Sequence, residues 1–326
     1  MLLSVIIPTR NRAPLVGQLL ASLAQQETVS YSWEVIVVDN GCTDNTGDIV
    51  QQKRGKWDAQ VRCVYEPLPG LHAARHRGAA EAKGEYLAYL DDDMVLAPTW
   101  LSGIQMLLDE RADAVVGRIL PRWETPPPSW LAPIARPGAF GPLSLLDLGE
   151  AATQTEHFYG CNIFIPKKTV LRMGGFHPDG MPKELLDYRG DGETGLWLKM
   201  RAAGMTLFYD PIAVAYHVIP RGRMTEAYLQ NRAYNQGISD SFTHLRANRG
   251  APHDARLLLK HAICTIWRYT RSAQTGRLSL KSAHAWNLGF LHHQSVARHD
   301  PGLREWTTRP DYFGDRGSVP RRGDRR

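Results

Sequence analysis

The chain has few cysteines and no long apolar run, and each scarcity removes a class of protein. Its four cysteines (Cys42, Cys63, Cys161, Cys264) are scattered and include no CxxC pair. This argues against a zinc site or a disulfide framework and fits a reducing cytoplasm. No uninterrupted apolar stretch approaches the ~18–20 residues that a membrane span needs. The N-terminus, Met1-Leu-Leu-Ser-Val-Ile-Ile-Pro8, has neither a basic leader nor a small-residue cleavage site, so it reads as a first strand rather than a signal peptide. Charge is sparing too. The formal net charge is +6, and from Gly302 to Arg326 seven arginines stand against four acids. That stretch is rich in Gly, Pro and Arg without apolar periodicity, so residues 301–326 read as a flexible basic tail. No stacking motif or recognition module accompanies it, and nucleic acid is not an expected partner. No internal repeat and no spaced His/Cys/acid set for zinc is present.

What is there is an ordinary globular composition, 43% apolar and 22% charged, in a chain long enough for a large core. Over the first ~120 residues strands and helices alternate. Apolar runs predict strands at Ser4–Pro8, Glu34–Asp39, Val61–Glu66, Tyr86–Asp91 and Asp113–Ile119. Pro14 opens a helix whose stripe is Leu15, Val16, Leu19, Leu20 and Leu23, and Leu71 to Lys83 forms an Ala-rich helix stopping at Gly84. The fold class is α/β, with a mostly parallel doubly wound sheet whose ligands bind at the carboxyl ends of strands. Residues 1–120 form its nucleotide-side half. Residues 121–223 form a second half, opened by the irregular Trp123-Glu-Thr-Pro-Pro-Pro-Ser-Trp130 segment, which suits a lid or acceptor wall. Further strands are expected at Met205–Tyr209 and Ile212–Tyr216. Residues 224–300 form a helical extension. Thr225 is its N-cap, and Asp254–Arg271 and Leu280–His293 read as a hairpin with His292 and His293 exposed.

Polar residues collect at the strand ends: Pro8-Thr9-Arg10-Asn11-Arg12, Asp39-Asn40 and the triplet Asp91-Asp92-Asp93. Three acids after a buried strand repel one another, and a divalent cation completed by substrate phosphates is the usual compensation. In an extended chain Asp91 and Asp93 would face the same way, one toward a metal and the other toward a ribose. Arg75, on the preceding helix, is placed to reach a phosphate, and Asp39 to accept from a base or ribose. Asp191-Gly192-Glu193 opens another helix. Acids there cap the helix dipole, or one serves as a general base, with Glu193 first and Asp191 second. His217 ends a strand and is followed by Arg221 and Arg223, a set suited to a metal–diphosphate site.

These motifs, in order, carry a resemblance. They are Ser4-Val-Ile-Ile-Pro-Thr-Arg-Asn-Arg12, Val37-Val-Asp-Asn-Gly-Cys-Thr-Asp44, Gly70-Leu-His-Ala-Ala-Arg-His-Arg-Gly78, Gly84-Glu-Tyr-Leu-Ala-Tyr-Leu-Asp-Asp-Asp93, Gly160-Cys-Asn162 with Gly174-Gly-Phe176, and Gly190-Asp-Gly-Glu193 leading to His217. Over roughly residues 2 to 240 the chain resembles the inverting, nucleotide-sugar-dependent glycosyltransferase family 2 with the GT-A fold. The resemblance implies that Pro8, Thr9, Arg12 and Asp39 border the nucleotide, and that the triplet is a DxD-type motif with Asp93 the first metal ligand. It implies Mn²⁺ or Mg²⁺ as cofactor, a carboxylate base within Asp191–Glu193, and an acceptor side at Tyr159-Gly160-Cys161-Asn162, with Trp123 nearby. The sequence departs from the family pattern at three places: Cys42 for serine, His76 for asparagine, and Gly192-Glu193 for a Glu-Asp pair.

The implied partners are a nucleotide-sugar donor, with UDP the family default, and a saccharide, lipid-linked or small-molecule acceptor, as in cell-envelope or exopolysaccharide synthesis. A catalytically lapsed nucleotide-sugar-binding protein is the alternative of a different class. A sugar-phosphate nucleotidyltransferase would need a Gly-rich loop with a Lys after the first strand, where this chain has Thr9-Arg-Asn-Arg12. The C-terminal helices suit a core or homodimer contact, or a basic face on the inner surface of the plasma membrane of an otherwise cytoplasmic protein.

Overall fold

The computed structural model describes residues 2–53, 59–131, 137–252, 263, 276–314 and 318–319. Its strands, in chain order, are β1 (Leu3–Thr9), β2 (Trp33–Asp39), β3 (Gln60–Tyr65), β4 (Tyr86–Leu90), β5 (Met94–Leu96), β6 (Ala114–Trp123), β7 (Gly138–Phe140), β8 (Leu145–Asp147), β9 (Thr153–Gln154), β10 (Asn162–Pro166) and β11 (Leu207–Ile219). They form one mixed sheet in the order β3-β2-β1-β4-β10-β6-β11-β5, with β7, β8 and β9 attached at its side. The β1–β4 part is parallel, as the strand–helix alternation predicts, and β10 then runs antiparallel to both β4 and β6.

All seven residues of β1 are buried, which is why its sequence is a continuous apolar run rather than an alternation. The helix Ala13–Leu23 sets Val16, Leu19, Leu20 and Leu23 into the core. Each such side chain contributes about 1.5–3 kcal/mol. The helix Leu71–Glu81 is Ala-rich and carries Gly78 where it lies close on β1: a Cβ at Gly78 would come within 2.3 Å of Ile6. Gly84 is not the cap of this helix. It follows the helix end and passes so near Ser4 that a Cβ would lie 2.6 Å from the Ser4 nitrogen.

The acidic triplet does not continue β4. The chain turns at Asp92-Asp93 and enters β5, whose Met94 pairs with His217 of β11. The Val218 N–H donates to the Asp93 carbonyl at 2.8 Å. The two strands expected at Met205–Tyr209 and Ile212–Tyr216 are a single strand, β11, with an irregular register between Asp210 and Ala215. It is this long strand that carries His217 back to the triplet.

In the C-terminal part Thr225 caps the helix Glu226–Ala247 by accepting from the Tyr228 N–H. The helix Gly276–His299 packs on it through Gly237 and Gly289, each of which lies against backbone of the other helix. The arm expected at Asp254–Arg271 falls almost wholly outside the described residues. His293 is not exposed as expected: it is fully buried and bonded to Ser241 and the Asp187 carbonyl, whereas His292 is half-exposed against Asp187. The tail also differs. Pro301–Thr308 is a helix capped by Asp300, and Trp306 and Tyr312 are buried in a small core with Phe242, Leu245 and Leu303. Two large aromatics outweigh the Gly/Arg-rich composition that predicts flexibility. Among the described residues no helix is long and apolar enough to cross a membrane.

Candidate active site

The carboxyl ends of β1 and β4 open into a crevice of about 400 Å³. Pro8, Thr9, Arg10, Arg12, Asn40, Asp91, Asp92, Asp93, His217 and Arg223 all line it, so most of the residues nominated from sequence meet in one place. Asn40 stiffens the rim: its amide donates to the Glu66 and Leu68 carbonyls, and its side-chain oxygen accepts from Gly70 N–H. Asp39 instead folds back on its own turn and accepts from the Cys42 N–H at 2.6 Å.

Each acid of the triplet has its own partner. Asp92 accepts from Thr9 Oγ1 at 2.7 Å and from Arg12 Nη1 at 2.8 Å. Asp93 Oδ2 lies 2.8 Å from Arg223 Nη2 and 3.2 Å from Arg12 Nη1. Asp91 turns the other way, to Arg75 Nη2 at 3.1 Å. The alternation that would set Asp91 beside Asp93 fails because β4 ends at Leu90. Burial together with the charge of Asp93 outweighs Arg12 and Thr9 and pushes Asp92 up to about 6. Burial acts on Asp93 in the same sense, but His217 when protonated, together with Arg223 and Arg12, holds its carboxyl well below the usual carboxylate range.

Asp93 and His217 fit a divalent cation. His217 Nδ1 lies 2.7 Å from the Leu143 carbonyl, which assigns the proton to Nδ1 and leaves Nε2 as a lone-pair donor. Nε2 is 3.5 Å from Asp93 Oδ2 and 2.8 Å from Arg223 Nη1. Asp93 Oδ1 is buried without a hydrogen-bond partner. Among the described residues no three metal-ligating side chains converge, so phosphate oxygens would complete the shell.

Glu193 is the first residue of the helix Glu193–Ala202 and lines a second cavity of about 650 Å³ next to the first. Burial raises its pKa above the ordinary range despite the cation of Arg75. The Gly192 departure has a backbone cause. Gly192 sits at φ +55°, and a Cβ there would lie 3.0 Å from the Asp179 carboxylate. Asp191, the second choice for base, points away from the crevice. Its oxygens are 2.6 Å from His177 Nδ1 and 2.6 Å from Thr243 Oγ1, and the residue is buried. It fastens the loop to the helix Glu226–Ala247.

Arg75 was expected at a phosphate, but it is 2% exposed. Its guanidinium bridges Asp91 and Glu193, lies over the Phe176 ring at 4.9 Å, and packs on Gly160, where a Cβ would come within 2.8 Å. Gly160 therefore makes room for Arg75 rather than for an acceptor. Asn162 is likewise internal: fully buried, it accepts from Trp100 Nε1 and donates to the Arg118 and Ala213 carbonyls. Of the expected acceptor residues only Tyr159 lines the second cavity. Trp123 packs half-buried against the core, and Arg221 is exposed, its N–H donating to Glu124. His76 at the family's asparagine position accepts from the Phe176 N–H and faces the Tyr312 carbonyl through Nδ1, tying the end of the chain to the loop that supports Arg75.

Ser144, Tyr228 and Arg232, which are not among the residues expected from the sequence, also line the crevice. Tyr228 and Arg232 stand at i, i+4 on one helix face, a signal visible in the sequence, but only the tertiary packing aims that face at the triplet.

Comparisons with known proteins identify the family and the fold. The family described as glycosyl transferase family 2 matches residues 4–171. A validoxylamine A glucosyltransferase of Streptomyces hygroscopicus subsp. jinggangensis (strain 5008) is 36% identical over 105 residues, 32% of this chain but only 24% of that protein. The succinoglycan biosynthesis protein ExoM of Rhizobium meliloti (strain 1021) is 25% identical over 69% of this chain and 70% of its own. Among solved structures, a mannosyltransferase of Pyrobaculum calidifontis with GDP-Man and Mn²⁺ superposes with a TM-score of 0.55 at 21% identity, covering 94% of this chain and 82% of that one. TarS 1–349 of S. aureus with UDP-GlcNAc gives 0.50 at 18% identity and 92% of each chain. At those identities the structural likeness speaks for the fold alone, which is that of the GT-A enzymes. With the ordered motifs, the mixed sheet and the match over residues 4–171, the chain belongs to glycosyl transferase family 2.

Proposed function

We propose that this chain moves a sugar from a nucleoside diphosphate donor to an acceptor hydroxyl, with inversion at the anomeric carbon. The observation that carries the reading is the placing of Glu193, a carboxylate on a second cavity, beside a crevice lined by the acidic triplet and several arginines. The nucleotide occupies the crevice between Pro8, Thr9, Arg10, Asn40 and Asp91–Asp93. Asp93 and His217 would hold Mn²⁺ or Mg²⁺, which when bound supplies positive charge to the diphosphate. Arg223 and Arg12, cations already in place, stabilise the charge that develops on the leaving group.

Glu193 takes the proton of the acceptor hydroxyl while its oxygen bonds to the anomeric carbon. The bond from that carbon to the diphosphate oxygen breaks with its electron pair, and a nucleoside diphosphate leaves. The raised pKa suits this work, since a base nearer the working pH holds the transferred proton more firmly. UDP is the donor nucleotide we put first, supported by the UDP-GlcNAc complex of TarS, and polysaccharide or glycoconjugate synthesis is supported by the ExoM likeness. Incubation of the full chain with UDP-sugars and Mn²⁺, followed by assay of released UDP with and without added acceptors, tests the reading. No release with any nucleotide sugar, alongside intact nucleotide binding, would favour the lapsed binding protein instead.

A further inference from the structure

The second cavity adjoins the donor crevice and has one broad apolar side. It shares Pro142, Ser144 and Arg232 with the donor crevice, so ligands seated in the two would meet beside Glu193. Beside the polar Thr194, Gln236 and Ser282, it is lined by a broad apolar surface of Phe140, Phe158, Tyr159, Leu229, Ala233 and Trp286. The last three stand on the helices Glu226–Ala247 and Gly276–His299, outside the residues 4–171 that the family shares. Half of this wall is therefore supplied by the chain's C-terminal helices and half by Phe140, Phe158 and Tyr159 of the matched region. It is also fixed in advance. Trp286 Nε1 donates to the Asp240 carboxylate at 2.7 Å, its ring stacks on Phe290 at 5.4 Å, and a Cβ at Gly237 would meet the Trp286 carbonyl at 2.0 Å.

We propose that the acceptor is a small hydroxylated molecule with a broad apolar face, an aryl- or alkyl-bearing aglycone rather than a bare saccharide. This rests on the reading of Glu193 as the base. Thr194, Gln236 and Ser282 can pair with hydroxyls on their part of the cavity, but Leu229, Ala233 and Pro142 give no partners to hydroxyls turned toward them, and a buried unpaired hydroxyl is costly. An aryl or alkyl group gains by leaving water against the same surface. A volume of about 650 Å³ matches sites for compact ligands rather than polymers.

Calorimetry on the full chain with Mn²⁺ and saturating UDP tests this with three probes: 4-nitrophenyl, octyl and methyl β-D-glucopyranoside. The nitrophenyl or octyl glycoside is expected to bind at least about tenfold more tightly than the methyl glycoside. A nitrophenyl preference identifies an aromatic aglycone and an octyl preference an alkyl one. Ala233→Trp, which fills the groove, should abolish the preference and leave the Kd for UDP within about twofold. Equal binding of the methyl glycoside, no binding of any probe, or a preference that survives Ala233→Trp overturns the proposal. Failure of UDP itself to bind counts against the donor reading, and the same titrations without nucleotide then still read the groove.

Discussion

The guanidinium of Arg75 stands 3.4 Å from the carboxylate of Glu193 and, by its other nitrogen, 3.1 Å from Asp91. One buried cation thus joins the candidate base to the acidic triplet. The 3.4 Å contact is long for a hydrogen bond, so its effect on Glu193 is chiefly electrostatic.

Arg75→Met should lower stability by about 2–4 kcal/mol, because it leaves two partly buried carboxylates without their cation. Urea unfolding monitored by fluorescence measures this. Arg75→Lys keeps the charge but loses the planar fork that spans both acids. It should keep more stability than Met and still lower kcat more than it raises KM for the donor.

The acid limb of the rate profile provides a second check. A base works ionised, so activity should rise with pH through the raised pKa of Glu193, above the ~4.3 of a free glutamate. Arg75 is the main influence holding that pKa down against burial. In Arg75→Lys the limb should remain near its wild-type position, and in whatever folded fraction of Arg75→Met survives it should move to higher pH. A limb indifferent to the cation contradicts the coupling.

Asn162 is expected to behave as a structural residue. Asn162→Ala leaves the Trp100 indole and two carbonyls without their partner, at a cost of about 1–3 kcal/mol. Thermal unfolding should register the loss. The KM for an acceptor should be unchanged in the folded protein, and a raised acceptor KM at full stability would restore Asn162 to the acceptor side.

Stability should also decline in mild acid. Burial lowers His72 and His293 to about 4, so between ~6.5 and ~4 the unfolded chain binds protons that the fold does not. The sign follows: stability is full above ~6.5 and falls by up to about 1.4 kcal/mol per pH unit for each group below it. His76 and His177, also lowered, add to the trend, while Asp92, pushed up to about 6, and the raised carboxyls of Glu193 and Asp240 oppose it over part of the window. Urea midpoints at pH 7.5 and 5.0 should therefore differ, with the lower at pH 5.0.

Much of the fold was legible because it rests on local pattern. Continuous apolar runs such as Val35–Val38 mark strands covered on both faces, and Leu19, Leu20 and Leu23 mark a buried helix stripe. The site was legible as a set of strand ends, since a parallel sheet brings Thr9 and Asp91–Asp93 to one edge. What the sequence hides is direction. Asp91 and Asp93 part company only because the strand stops one residue early, and Arg75 turns inward only because Phe176 and Gly160 enclose it. Asp191 and Glu193, two residues apart, separate because Gly192 takes a positive φ between them. The tail misled for a similar reason: two aromatics, Trp306 and Tyr312, find a pocket that composition cannot reveal.

The most direct test of the central claim compares Glu193→Gln with Asp191→Asn in single-turnover transfer from a nucleotide sugar, with nucleotide binding measured alongside. Glu193→Gln should lose about 10²–10⁴-fold in rate with UDP affinity nearly unchanged, the range for removal of a general base. Asp191→Asn should lose stability and retain most of its rate per folded molecule. Near-normal turnover in Glu193→Gln, with the loss falling on Asp191→Asn, would contradict the account.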